Sequence, residues 1–203
     1  IEPNSGDVLY EGVNFTEMST EERKEVRKEI GMLFQGGALF DSLTIEENIK
    51  FPLRMHTKMK EDEMRDRINF CLNRVNLENV NKRFPSEISG GMQKRVGIAR
   101  AIALNPKYLF CDAPNSGLDT GTAILIDNLI KEITEEYNIT TVVITHDMNS
   151  VLEIGEHISF LYKGKVHWQG DNKSILSTTN KELSELVFAS HLMKKIRGSQ
   201  LER

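Results

Sequence analysis

Long apolar runs are missing from this sequence of 203 residues. None approaches the roughly 18 residues that a helix needs to cross a bilayer. The opening Ile1–Gly6 has neither the basic start nor the apolar stretch of a signal peptide. An excess of positive charge is also missing, since 26 Lys and Arg residues face 30 Asp and Glu residues, for a net charge of −4. This balance argues against a nucleic-acid partner, and any membrane contact is expected to go through a partner protein.

Cysteine is scarce, and the two that occur lie in apolar surroundings. Cys71 belongs to an apolar helical stripe, and Cys111 lies inside a strand-like run. Both are predicted to be small buried hydrophobic residues rather than metal ligands or a disulfide, which suits a reducing cytoplasm. With 39% hydrophobic and 28% charged residues, the chain has the composition of one soluble domain with room for a subdomain.

Short apolar runs alternate with helical patterns along the chain. Residues 30–34, 108–111 and 140–144 are brief, apolar and rich in β-branched or aromatic side chains, as buried strands are. A helix is predicted between the last two runs, through Ile124 and Ile133, and an amphipathic helix over 60–76. This alternation predicts an α/β fold with a parallel sheet.

Other segments carry local signals of turns and helix ends. Residues 6–15 and 158–168 are predicted to form hairpins, and a charged helix is predicted from Ser19 or Thr20 through Arg27. Thr44 and Glu47 have the spacing of a capping box, which predicts a helix start there. A further amphipathic helix is predicted over 181–197.

The segment Ser89-Gly90-Gly91 precedes an amphipathic helix that is predicted to run as far as Asn105-Pro106. Two glycines allow backbone N–H groups to approach an anion closely, Ser89 can cap the helix, and the helix dipole adds partial positive charge. The segment therefore predicts a phosphate-binding helix start.

Five segments, taken together and in order, resemble the ATP-binding subunit of an ABC transporter over residues 1 to about 170. They are Leu33–Gln35, Ser89–Met92, Tyr108–Asp112, Ser116–Asp119 and Ile144–Asp147. The resemblance implies an α/β, P-loop NTPase-like ABC ATPase core with a mostly parallel sheet, a small antiparallel β part and an inserted helical subdomain. It also implies four segments along the chain. Residues 1–35 carry a hairpin and the strand to the Q-loop, 36–88 the helical subdomain, 89–170 the signature helix and catalytic core, and 171–203 a helical tail.

The same resemblance assigns roles to individual residues. It implies that nucleotide is bound by Ser89, Gly90, Gly91 and Met92 of the signature and by Gln35, Asp112 and His146. Asp112 and Gln35 are the expected Mg²⁺ ligands, and His146 and Gln35 the expected catalytic residues. Ser116, Gly117, Leu118 and Asp119 match the D-loop. Phe51, Leu53 and Met55 are candidates for a groove that accepts a coupling helix of the membrane subunit, or for subdomain core.

Two departures from the family pattern stand out. Ala113 occupies the position of the catalytic glutamate, and a methyl group cannot orient or deprotonate water. A deliberate substitution, a natural site of low activity and a sequence error all remain open as its origin. No G-x-x-x-x-G-K-[ST] phosphate loop occurs in the sequence, whose opening resembles the segment that follows that loop and its helix. We therefore expect an N-terminally truncated copy.

The expected cofactors are ATP and Mg²⁺, and the expected partners are a membrane permease and a second ATPase subunit. The expected location is the cytoplasmic face of the bacterial inner membrane. The segments Gln35–Thr44 and Ser89–Val96 resemble the Mla/Mce type, which moves lipids. One alternative is a non-catalytic cassette that completes the ATP site of a partner or acts as a scaffold. A soluble ABC protein acting on nucleic acid or ribosomes would be expected to show tandem cassettes, coiled coils or basic arms, and the sequence shows none of them.

Overall fold

The computed structural model describes residues 3–189, which form two compact units divided between Ile144 and Thr145. The predicted segment 89–170 is thus shared between the units. The first unit begins with the predicted hairpin, formed by β1 (Leu9–Tyr10) and antiparallel β2 (Val13–Asn14). Helix α1 (Thr20–Lys28) follows at the predicted place, and Ser19 and Glu22 form its capping box.

Three parallel strands form the sheet of the first unit, as predicted. Strand β3 (Ile30–Leu33) pairs with β4 (Tyr108–Asp112), which pairs with β5 (Thr140–Ile144). Leu33 lies opposite Cys111, and Asp112 lies opposite Ile144. The carboxyl ends of the three strands therefore share one edge, where α/β proteins place their sites. On the outer strand β5, Val142 and Ile144 are exposed.

Four helices of the first unit cover this sheet. They are α2 (Ile45–His56), α3 (Glu61–Arg74), α4 (Gly90–Ala101) and α5 (Thr120–Glu136), and a short 3-10 helix (Pro85–Glu87) precedes α4. The predicted capping box of Thr44 and Glu47 begins α2. The apolar faces of these helices enclose one core with the sheet, which includes Leu33, Ile49, Leu53, Ile68, Val96, Ile98, Leu109, Ile126 and Ile130. Leu53 is therefore a core residue, while Phe51 and Met55 are exposed.

Helix α4 ends earlier than the sequence predicts. Its last residue is Ala101, residues 102–104 form a turn, and Asn105 follows in a left-handed conformation (φ 52°). Arg67 donates hydrogen bonds to the carbonyls of Ile102 and Ala103 at 2.7 and 2.9 Å. A cation from a distant helix thus satisfies the carbonyls that a longer helix would use internally.

The second unit holds α6 (Met148–Ile154), the predicted hairpin of β6 (Ile158–Tyr162) and β7 (Lys165–Gly170), a 3-10 helix (Ser174–Ser177) and α7 (Lys181–Val187). Its own core contains Ile175, Leu183, Val187 and Phe188. The predicted tail helix begins at Lys181 as expected but ends at Val187, where Phe188 is its C-cap. Residues 190–197 of that prediction lie outside the described residues. Among the described helices, none has the length and apolar character needed to cross a membrane.

Candidate functional site

Two predicted site residues lie at the carboxyl edge of the sheet. Gln35 follows β3 by two residues, and Asp112 is the last residue of β4, the neighbouring strand. The Gln35 side chain is exposed and the Asp112 side chain is half-buried. The sheet therefore presents an amide oxygen and a carboxylate on one edge, and both are hard oxygen donors of the kind that Mg²⁺ prefers.

Ala113 lies in a fixed turn directly after Asp112. Its backbone is left-handed (φ 43°), and its N–H donates to the Ile144 carbonyl at 2.8 Å. Its own carbonyl accepts from the Ser116 N–H at 3.1 Å. The position that the resemblance gives to a catalytic glutamate is thus well defined by the backbone and carries a methyl group.

A buried cation joins the two strand ends. Lys94 of α4 is 5% exposed, and its ammonium donates to the carbonyl of Gln35 and, at 3.4 Å, to that of Ala113. Burial lowers the pKa of Lys94, and the charge of Asp112 opposes this shift. The helix that starts at the Ser-Gly-Gly segment is therefore hydrogen-bonded to both strand ends.

Ser89 caps α4 as predicted. Its Oγ accepts from the Met92 N–H at 3.3 Å, and both Ser89 and Gly90 are exposed. An exposed helix start with a serine and two glycines suits an oxyanion, because the dipole and free N–H groups favour negative charge. The Met92 side chain, in contrast, packs against the core, so its predicted contact with nucleotide has no support from the side chain's position.

The predicted D-loop lies beside this helix start. Gly117 is left-handed (φ 79°), and Asp119 caps α5 by accepting from the Thr122 N–H at 3.0 Å. The Thr122 hydroxyl donates to the other carboxylate oxygen at 2.6 Å, and this bond is the main cause of the lowered pKa of Asp119. A Cβ at Gly91 would lie 2.6 Å from Thr122 Cγ2, so the two helix starts are in close contact.

A groove of about 620 Å³ runs along this contact. Its lining includes Ser89, Gly90 and Gly91 of the predicted signature and Leu118 and Asp119 of the predicted D-loop. Within the first unit, six of the eight predicted signature and D-loop residues thus line one surface groove, the exceptions being Met92 and Ser116. It places Gln35 and Asp112 on the sheet edge that Lys94 connects to the same helix.

His146 belongs to the second unit. It is exposed and lies between Thr145 and Asp147, whose backbone N–H donates to Thr145 Oγ1 at 3.0 Å. Asp147 in turn caps α6 by accepting from the Asn149 N–H at 2.9 Å. The imidazole is therefore accessible on a capped turn, as a ligand-contacting histidine must be.

Three residues with structural roles at the site were not predicted. Lys94 and Arg100 donate to carbonyls of the segment after β3, and Thr122 contacts Gly91. Lys94 and Arg100 share a helix face with Gly97, at a spacing of three residues, and this pattern is a signal that the sequence contains. In the described part of the chain no three His, Cys, Asp or Glu side chains form a metal cluster.

Comparison with known proteins identifies a family and several relatives of this chain. Residues 1–116 match the ABC transporter family. The methionine import ATP-binding protein MetN 2 of Bacillus anthracis is 37% identical over 99% of this chain and 62% of its own length. The probable ribonucleotide transport ATP-binding protein mkl of Mycobacterium leprae is 38% identical over 88% of this chain and 51% of its own length. The chain thus spans about half to three fifths of these relatives.

Solved structures agree with these relatives. The dimeric, post-hydrolysis ATP-binding cassette MJ0796, bound to ADP and Pi, superposes with a TM-score of 0.76 at 35% identity, over 85% of this chain and 75% of that one. The cbiO1 protein of Clostridium perfringens, part of the ABC transporter complex cbiONQ, gives a TM-score of 0.79 at 28% identity, over 100% and 78%. The family match, the fold and the ordered site residues lead to one conclusion: this chain belongs to the ABC transporter family.

Proposed function

We propose that this chain is the ATP-binding and ATP-hydrolysing subunit of an ABC transporter, acting on the cytoplasmic face of a bacterial inner membrane. The observation that carries the proposal is the shared sheet edge. Gln35 and Asp112 lie there on adjacent strands, and Lys94 hydrogen-bonds that edge to the helix that Ser89 begins. The ordered set of motifs, rather than any single residue, indicates that the ligand of this site is a nucleotide.

In this proposal, Asp112 and Gln35 would hold Mg²⁺, which would supply positive charge to the phosphates of ATP. The oxygen donors at the sheet edge fit such an ion. His146, exposed after β5, contacts the terminal phosphate. The Asp119 carboxylate keeps the D-loop turn in place through its bonds to Thr122.

The signature of this chain serves the ATP of a second subunit. Ser89 and Gly90 are exposed, and the groove that they line is open at the surface of the first unit. A head-to-tail dimer would place the nucleotide of one subunit against this helix start in the other. The dimeric state of the cassette MJ0796 supports this arrangement.

A second candidate function rests on Ala113. Without a carboxylate beside Asp112, general-base catalysis is lost, which costs on the order of 10²–10⁴-fold in rate. A chain with this site would bind MgATP and complete a partner's site while it turns over slowly or not at all. Hydrolysis by the Ala113→Glu variant distinguishes the two functions, because only an ATPase gains turnover when the carboxylate is restored.

An exposed apolar patch suits the permease partner. Phe51 and Met55 of α2 are exposed, and the Phe51 ring lies 5.0 Å from that of Phe40, which is also exposed. An amphipathic coupling helix of a membrane subunit would cover these side chains. The Gln35–Thr44 segment, which contains Phe40, links this patch to the sheet edge in the sequence.

For the cargo, we propose a lipid, on the resemblance of Gln35–Thr44 and Ser89–Val96 to the Mla/Mce type. The relatives named above are named for methionine import and ribonucleotide transport. An ATPase subunit of this kind does not itself bind cargo, so its motifs carry cargo information only by analogy. Stimulation of ATP hydrolysis in the assembled transporter by phospholipid, methionine or ribonucleotide would distinguish the three classes.

The nucleotide site is tested with the protein at its natural length and the variant Asp112→Asn, by equilibrium binding of ATP with and without Mg²⁺. We expect the amide to weaken MgATP binding by about tenfold or more while leaving metal-free ATP little changed. Asp171→Asn is the matched control, because Asp171 is an exposed turn-capping aspartate of the second unit. Equal MgATP affinity of Asp112→Asn and the parent would contradict the proposal.

A further inference from the structure

The segment that follows β3 is hydrogen-bonded to two cations of one helix. Lys94 donates to the Gln35 carbonyl. Arg100 donates to the Gly37 carbonyl at 2.7 Å and to the Ala38 carbonyl at 2.8 Å. The backbone of residues 35–38 is thus attached at three carbonyls to the helix that starts at Ser89.

Gly97 lies between the two cations on the same face of α4. A Cβ at this position would lie 2.7 Å from Leu33 Cδ1 and 3.6 Å from Gly37 Cα, so the glycine lets the helix approach the segment closely. Gly37 and Ala38 are both left-handed (φ 76° and 44°). The segment therefore has an irregular backbone, and the helix satisfies its carbonyls.

Lys94 is 5% exposed, and its ammonium also donates to the carbonyl of Ala113 at 3.4 Å. This cation therefore connects the segment after β3 to the turn after β4, and Arg100 extends the attachment to residues 37 and 38.

We propose that Lys94 and Arg100 are positioning residues that make α4 and residues 35–38 move as one body. A displacement of Ser89–Gly91 at the helix start is then passed to Gln35, and a displacement of Gln35 is passed to the helix start. The consequence for ATP rests on the proposed function, in which both ends contact nucleotide. The attachment of residues 35–38 to α4 does not depend on the proposed function.

The attachment is tested by amide hydrogen exchange of the nucleotide-free protein at its natural length. Lys94→Met and Arg100→Met are expected to speed exchange at the Gly37 amide, which bonds to the Phe34 carbonyl at 2.8 Å, by about tenfold or more. Lys94→Arg is expected to restore slow exchange.

Arg95→Met is the matched control. Arg95 is the next residue of α4 and donates to the Asn76 carbonyl at 2.9 Å, on another segment. Its loss is expected to leave the Gly37 amide protected. Unchanged exchange at Gly37 in Lys94→Met and Arg100→Met, or an equal effect of Arg95→Met, would overturn the proposal.

The coupling is tested by a double-mutant cycle on MgATP affinity with Gln35→Ala and Ser89→Ala in the dimer. We expect the two effects to deviate from additivity by about fivefold in the parent and to become additive when Lys94→Met is present. Persistent non-additivity with Lys94→Met would overturn the coupling. Absence of MgATP binding in the parent would instead refute the proposed function, and the exchange experiment would still decide the attachment.

Discussion

Gly91 and Thr122 are in such close contact that a Cβ on residue 91 would lie 2.6 Å from Thr122 Cγ2. This contact joins the starts of α4 and α5, and both residues line the groove described above. The second glycine of the signature therefore has a packing role beside its proposed role in anion binding.

Gly91→Ala should reduce the free energy of unfolding by about 1–3 kcal/mol, because the added methyl displaces Thr122. Thr122→Ser removes Cγ2 and keeps the hydroxyl that donates to Asp119, so the double variant should recover most of the loss. Gly90→Ala is the control, since the nearest atom to its Cβ would be Leu118 Cδ2 at 3.9 Å. Urea unfolding of the parent, the double variant and the two single glycine variants measures these free energies. Equal losses of unfolding free energy for Gly90→Ala and Gly91→Ala would contradict a packing role that is specific to Gly91.

Stability should fall in acid because capping carboxylates have lowered pKa values. The backbone N–H of Thr44 donates to Glu47 and, with the Thr44 hydroxyl, lowers the pKa of Glu47 below its usual 4.5. A lowered folded-state pKa means that this stabilisation is present above about pH 4.5 and is lost as the pH falls through the lowered value.

Urea midpoints between pH 6 and pH 3 test this dependence. Glu47→Gln keeps a hydrogen-bonding side chain and removes the titration, so its midpoint should fall less steeply than that of the parent. Thr44→Ala should cost about 1 kcal/mol at neutral pH, because it removes the cap of α2. Parallel pH curves for Glu47→Gln and the parent would show that this carboxylate does not contribute.

Both thiols should be unreactive in the native protein. Cys71 and Cys111 are fully buried, and burial raises their pKa values to about 11 and about 12. A thiol reagent at pH 8 should therefore label neither residue until the first unit unfolds. Rapid native labelling of either cysteine would show that the core around α3 and β4 opens readily.

If the exposed apolar patch of Phe40, Phe51 and Met55 binds the membrane subunit, a substitution there should weaken that binding without changing MgATP affinity. Phe51→Ser should weaken capture by the membrane subunit by about tenfold or more, because it removes an exposed aromatic side chain from a proposed interface. Its MgATP affinity should equal that of the parent. Phe70→Ser is the control, since Phe70 is an exposed aromatic residue of α3. Equal capture by Phe51→Ser and the parent would place the partner elsewhere.

Local patterns predicted most of the fold. The strands, the capping boxes of Ser19 and Thr44 and the hairpins follow from apolar periodicity and short-range hydrogen bonding. The predicted end of α4 was wrong because Arg67, which is distant in sequence, donates hydrogen bonds to the carbonyls that follow Ala101. The residues around position 101 give no sign of this contact.

The motifs of the site could be predicted from the sequence, but the hydrogen bonds that join its elements could not. The predicted strands over 30–34 and 108–111 end next to Gln35 and Asp112, and the strand register shows that these two strand ends are neighbours on one edge. The bonds of Lys94 to two separate strand ends depend on tertiary packing of α4 against the sheet, which no short pattern encodes. The roles of Gln35, His146 and the signature residues toward nucleotide stay predictions.

Hydrolysis of ATP by the protein at its natural length, compared with its Ala113→Glu variant in the assembled transporter, tests the central proposal most directly. Ala113 is already left-handed, so glutamate meets no new backbone conformation there. The account predicts slow turnover by the alanine form and a gain on the order of 10²–10⁴-fold with glutamate, because a general base is restored beside Asp112. Tight MgATP binding with no gain in hydrolysis would contradict the ATPase proposal and favour the non-catalytic cassette.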